Sequence, residues 1–100
     1  MLEPLWAITY DLNRRFPEGD TPYQIMTRLL EECGELAQQV NHCEASGVKR
    51  AKHGEPNPAH MAKEIKDVIR SALQVAIYYG IEAEVEATFA QSFTAVMPKE

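Results

Sequence analysis

PYQIMTRLLEECGELAQQVNHC, Pro22 to Cys43, decides how this chain is read. Ile25, Leu29, Glu32 and Leu36 recur at helical spacing, and Met26, Leu30, Cys33, Ala37 and Val40 widen the stripe. Thr21 before Pro22 supplies an N-cap followed by a favoured first helical residue. The register sets one carboxylate, Glu32, in the row meant for burial. Glu35 lies one turn further along the edge of that row. Cys33, in the same apolar register, reads as a buried thiol.

Three more helical segments flank this one. Glu3 to Phe16 carries Leu5, Ile8, Leu12 and Phe16 at helical spacing, with Pro4 suited to a first turn. Pro17 to Asp20 is a turn. Glu44 to Asn57, EASGVKRAKHGEPN, holds two glycines, Pro56 and a basic cluster of Lys49, Arg50, Lys52 and His53, and reads as a loop. A third helix runs from Pro58, capped by Asn57, to Tyr79, with Gly80 as its C-terminal stop. Met61, Ile65, Val68, Ile69, Ala72, Leu73, Ala76 and Ile77 give it a broad apolar face. The last helix spans Glu82 to Val96, with Val85, Phe89, Phe93 and Val96 directed inward. No segment alternates with period two, so strands are not expected. The expected architecture is all-α, a four-helix-bundle-type subunit, with residues 1–100 forming one domain.

Composition agrees. A chain of 100 residues that is 45% hydrophobic and 25% charged is ordinary for a soluble globular domain. A net charge of −5 disfavours a nucleic-acid duplex as partner, since nothing overall offsets phosphate repulsion. Neither cysteine spacing nor any zinc-type spacing among His42, Cys43, His53 and His60 suggests a metal or redox pair. No apolar run approaches the roughly 18 residues of a membrane span. MLEPLWAITYDLNRRF lacks a basic start followed by an apolar stretch, so no signal peptide is expected and a cytoplasmic location is.

The carboxylates carry the chemistry. Glu32 and Glu35 stand at i and i+3, and EIKD repeats the device with Glu64 and Asp67, which flank the row Met61, Ile65, Val68, Ala72. If the two helices pack antiparallel through their stripes, two acidic pairs face each other. Four carboxylates that close cannot all remain ionised without a cation. All-oxygen ligands favour Mg²⁺ or Mn²⁺ over zinc, and a di-iron site would want a Glu-x-x-His pair that neither helix offers. One such pair is commonplace on a solvated helix face. Two that border apolar stripes are harder to dismiss, though the pattern alone leaves both readings open. No Ser/His/Asp or Cys/His nucleophile set is evident, and no phosphate-cradling Walker A loop is present.

Glu31-Glu32-Cys33-Gly34-Glu35-Leu36, followed by Glu64-Ile65-Lys66-Asp67-Val68, resembles the EExxE…ExxD signature of the MazG-like, all-α nucleoside triphosphate pyrophosphohydrolases. The likeness covers about Thr21 to Glu84, and the run VIRSALQVAIYYGIE has the helix-then-glycine ending of that family. It implies a subunit that pairs with another copy and hydrolyses (d)NTPs to the monophosphate and pyrophosphate with Mg²⁺ or Mn²⁺. Glu32, Glu35, Glu64 and Asp67 would then be metal ligands. Glu35 would also be a candidate base, and Glu31 an auxiliary carboxylate that orients water. Lys49, Arg50, Lys52 and Lys63 are candidates to hold the phosphate tail. The last helix departs from the family pattern, having no basic residue until Lys99. Trp6, Tyr10 and Asn13 share one face of the first helix. Trp6 and Tyr10 could stack on a base, though core or dimer packing is the commoner fate of such a pair. His42 continues the face of Glu32, Glu35 and Gln39.

Broad apolar faces on the third and fourth helices, extended by Tyr78, Tyr79 and Ile81, join the resemblance in implying a homodimer, or a tetramer built from one, with a shared core. The alternative function is a non-catalytic helical interaction module on the same scaffold. Metal-dependent thermal shift and pyrophosphate release separate the two.

Overall fold

The computed structural model describes residues 2–45 and 54–98. Lys49, Arg50, Lys52, His53 and Lys99 fall outside the described residues. Among those described there are four helices and no strand: α1 Glu3–Arg15, α2 Pro22–Glu44, α3 Pro58–Tyr79 and α4 Glu82–Val96.

The helix ends follow the local chemistry. Thr21 and Gln24 form a reciprocal capping box: the Thr21 hydroxyl accepts from the Gln24 amide, and the Gln24 side chain accepts from the Thr21 amide. The Asn57 side chain accepts from the Ala59 amide at 2.9 Å and starts α3. Gly80, at φ 65 and ψ 33, takes the left-handed position that ends α3, while the Ile81 amide bonds back to the Ala76 carbonyl.

The largest helix–helix contact joins α2 to α3; α1 also packs on α3, and α4 touches α3 only lightly. One groove is lined by Pro22, Ile25 and Met26 from the start of α2 and by Val75, Tyr78 and Tyr79 from the end of α3, so the pair runs antiparallel. His42 at the other end of α2 meets the Gly54 carbonyl at 2.8 Å, just ahead of α3.

Burial departs from the apolar patterning. Among the described residues Ile25, Leu73 and Ala76 are the buried apolar ones, and burying a side chain such as Ile25 is worth about 2 kcal/mol. The other buried residues are polar: Thr9, Asp67, Ser71 and Gln74. Ile25, Leu29, Glu32 and Leu36 keep the expected stripe of α2, but Cys33 is exposed rather than buried. On α3, Ile65, Ile69 and Ala72 face solvent, because the row turned inward is shifted onto Asp67, Ser71 and Gln74. On α4, Phe89, Phe93 and Val96 do not point inward. Phe93 is 51% and Val96 77% exposed, since among the described residues α4 packs closely on no helix but α3, and on that lightly. The Cα radius of gyration is 16.9 Å, against about 13 Å for a compact domain of this length.

Candidate metal centre

Antiparallel packing brings the middle of α2 against the first turns of α3. One carboxylate oxygen from each of Glu32, Glu35 and Glu64 lies within 4.8 Å of the other two. Glu32 and Glu64 are half-buried, and Glu35 is exposed at the rim. The Oε2 atoms of Glu32 and Glu64 are shielded from solvent and have no hydrogen-bond partner. Shielding an ionised carboxylate oxygen from water without a partner disfavours the charged form. Burial, then the side-chain contact with Glu35, raises the Glu64 pKa above its ordinary value, with Lys63 acting in the opposite direction. A divalent cation or a shared proton would relieve that cluster. The oxygen-only donor set and its two unpartnered buried atoms fit a hard cation.

Asp67 is placed differently. It is 7% exposed, and its Oδ2 and Oδ1 accept from Lys63 Nζ and Lys66 Nζ, each at 2.9 Å, with Arg70 Nε at 4.0 Å. Burial pushes the Asp67 pKa up, yet the two ammonium groups outweigh it and hold the carboxyl below its usual range. The hydrogen bond to Asp67 raises the Lys63 pKa in turn. Lys63 Nζ also lies 3.9 Å from Glu64 Oε1, which links the lysine-held aspartate to the three-carboxylate group. Glu31 is exposed on α2 and outside that group. Arg28, one turn before Glu32, has a buried Nη2 without a partner. A Cβ added at Gly19 (φ 81) would meet its Nη1 at 2.9 Å, so the turn that precedes α2 accommodates the guanidinium through a glycine.

Of the aromatic candidates, Trp6 Nε1 donates to Glu86 Oε1 at 2.6 Å and the Tyr10 hydroxyl donates to Glu82 Oε2, so both bind α1 to α4. That bond raises the Tyr10 pKa and lowers that of Glu82. The phosphate candidates Lys49, Arg50 and Lys52 lie outside the described residues. Lys66 and Arg70 were missed by the motif, although both lie within one turn of Asp67. Ser71 and Gln74 were missed as well: they continue the row of Glu64 and Asp67 at i+7 and i+10, a spacing visible in the sequence and masked there by the neighbouring Ala72 and Leu73.

A family profile described as the MazG nucleotide pyrophosphohydrolase domain matches residues 20–99 and leaves α1 outside it. No curated protein and no solved structure matches the chain. No helix among the described residues is long and apolar enough to cross a membrane.

Proposed function

Because the chain belongs to the MazG nucleotide pyrophosphohydrolase family, we propose that it is a cytoplasmic enzyme cleaving (deoxy)nucleoside triphosphates to the monophosphate and pyrophosphate with Mg²⁺, or Mn²⁺ in its place. The observation that carries this reading is the convergence of Glu32, Glu35 and Glu64, two of them with buried, unpartnered oxygens. Such a cluster repels a bare triphosphate and attracts one that arrives as its metal chelate. A bound divalent ion would polarise a phosphoryl oxygen and neutralise charge on the departing pyrophosphate.

The residues divide the work by exposure. Glu32 and Glu64, half-buried and short of partners, would hold the cation. Asp67 would join them through Oδ2 if Lys63 turned its ammonium from the carboxylate to phosphate, with Lys66 still on Oδ1. Glu35, at the rim, takes the proton of a water whose oxygen attacks the α-phosphorus, as the bond to the pyrophosphate oxygen breaks. Glu31, exposed beside it, orients that water. No covalent intermediate is needed. Phe89, Phe93 and Val96, exposed in a chain so extended, support a homodimer or larger assembly that covers them.

The test is pyrophosphate release from a panel of canonical and oxidised (d)NTPs with Mg²⁺ and Mn²⁺. Release that chelator abolishes is expected from at least one of them. Silence across the whole panel would overturn the reading.

A further inference from the structure

Arg28, Glu32, Glu35 and Gln39 stand at i, i+4, i+7 and i+11 and share one face of α2. The face that brings carboxylates to the seam therefore opens on a guanidinium, about 6 Å before Glu32 along the axis at 1.5 Å per residue. Arg28 is half-buried. Its Nη2 is shielded from solvent without a partner, and the side chain makes no ion pair or hydrogen bond. The guanidinium lies against the turn before α2, where Gly19 leaves room for Nη1. Asp20 of that turn has an unpartnered Oδ1 of its own and forms no ion pair with Arg28. Every other lysine or arginine among the described residues has a carboxylate within 4.0 Å: Arg14 and Arg15 have Asp11, and Lys63, Lys66 and Arg70 have Asp67. The last helix, α4, carries no lysine or arginine.

A guanidinium keeps its charge at any working pH, so Arg28 cannot shed its proton to suit its surroundings, and an acceptor has to satisfy it. Two parallel N–H groups of its fork match two phosphate oxygens. From these observations we propose that Arg28 is the phosphate clamp of this chain, its guanidinium gripping the terminal phosphate of a triphosphate whose metal sits at Glu32 and Glu64. The clamp rests on the hydrolase reading above and adds the residue that holds the departing pyrophosphate. Bound to nothing in the fold, the side chain breaks no bond when it turns along α2 toward Glu32, and no helix has to move. It is long enough to cover the single turn between them. Lys63, 3.9 Å from Glu64 Oε1, meets the cluster from α3, so cations from both helices would flank the phosphates.

Inorganic tripolyphosphate with Mg²⁺ is the probe, since it carries the phosphate tail and no base. Its Kd is measured by calorimetry for wild type, Arg28→Gln and Arg28→Lys, with circular dichroism to verify folding. Mn²⁺ alone is titrated by electron paramagnetic resonance. Arg28→Gln should weaken tripolyphosphate binding by about tenfold, as expected for losing a hydrogen bond between charged groups. Arg28→Lys, which keeps the charge and loses the fork, should fall between Arg28→Gln and wild type. Mn²⁺ alone should bind Arg28→Gln at least as tightly as wild type, because a positive charge beside the cluster is gone. A tripolyphosphate Kd that stays put in a folded variant overturns the clamp and spares the hydrolase reading. A Mn²⁺ affinity lost along with it overturns the clamp too, by marking Arg28 as a structural support of the cluster, as does a wild type that does not bind the probe. Wild type that releases no pyrophosphate from any (d)NTP but binds tripolyphosphate through Arg28 would sink the activity and leave the clamp standing as an anion site.

Discussion

Glu64 and Asp67 on α3 lie largely out of water, whereas Phe89, Phe93 and Val96 on α4 lie largely in it. Ordinary folding energetics favours the reverse in both places. The charges stay buried at a cost that Lys63 and Lys66 repay for Asp67 and that nothing among the described residues repays for the Oε2 atoms of Glu32 and Glu64. The aromatics stay exposed because, among the described residues, α4 packs only lightly on α3 and meets α1 through polar side-chain bonds of Glu82 and Glu86. Each region is thus incomplete in a different sense: the lysines of the α2–α3 seam are engaged chiefly with Asp67 and leave the Oε2 atoms of Glu32 and Glu64 without a partner, and α4 lacks apolar cover. On the proposed reading, an ion completes the first and a second copy of the chain the other.

The contrast is broken most forcefully at the seam. Glu64→Gln or Glu32→Gln should reduce pyrophosphate release on the order of 10³-fold, since a lost charged ligand forfeits several kcal/mol of transition-state stabilisation. In chelator the same variants should melt no lower than wild type, because each removes an unpartnered charge. A variant that keeps turnover would show that the cluster is not the site. At α4, Phe93→Glu should weaken self-association on the order of 10²-fold, as expected for a charge placed in an apolar interface. Sedimentation velocity gives the answer, and an unchanged species distribution would free that face for some other role.

Acid sharpens the comparison, because the seam titrates and α4's aromatics do not. Glu64 has a raised pKa in the folded chain, so its contribution is fully present below the unfolded value and is lost as pH rises through the folded one. Asp67 has a lowered pKa, so its contribution is present above the unfolded value and is lost as pH falls through the folded one. Metal-free protein should therefore gain thermal stability on moving from neutral pH toward the ordinary carboxylate range, then lose it under stronger acid. Mg²⁺ should flatten the first limb. Melting curves in chelator that are highest at neutral pH would contradict this balance. The smallest effect is at a cap: Thr21→Ala should cost about 1 kcal/mol in denaturant unfolding, with catalysis retained once folded.

Local rules made much of this legible. Thr21, Asn57 and Gly80 announce three helix ends because capping and left-handed backbone are chemistry of single residues. The paired carboxylates announce the seam because i and i+3 spacing survives in any helix. What escaped depends on how helices are rotated against one another. Ala72 and Ile65 look as fit for burial as Ser71 does, and only the packing of α1 and α2 on α3 turns the polar row inward. Asp67 looked equivalent to the three glutamates, yet it is shorter by one methylene, and Lys63 and Lys66 flank it in space as well as in sequence. Trp6 and Tyr10 read as a packing pair that could also stack on a base. Their partners, Glu86 and Glu82, sit at the far end of the chain, beyond the reach of local reasoning.

Gly80 makes the junction between α3 and α4 unusually short, and this fixes an angle as well as a path. A helix turns by about 100° per residue, so inserting a single amino acid after Gly80 would swing Phe89 and Phe93 around the axis by more than a quarter turn. The bearing of that aromatic face is thus a matter of counting, and evolution can re-aim it by a one-codon insertion without altering a side chain.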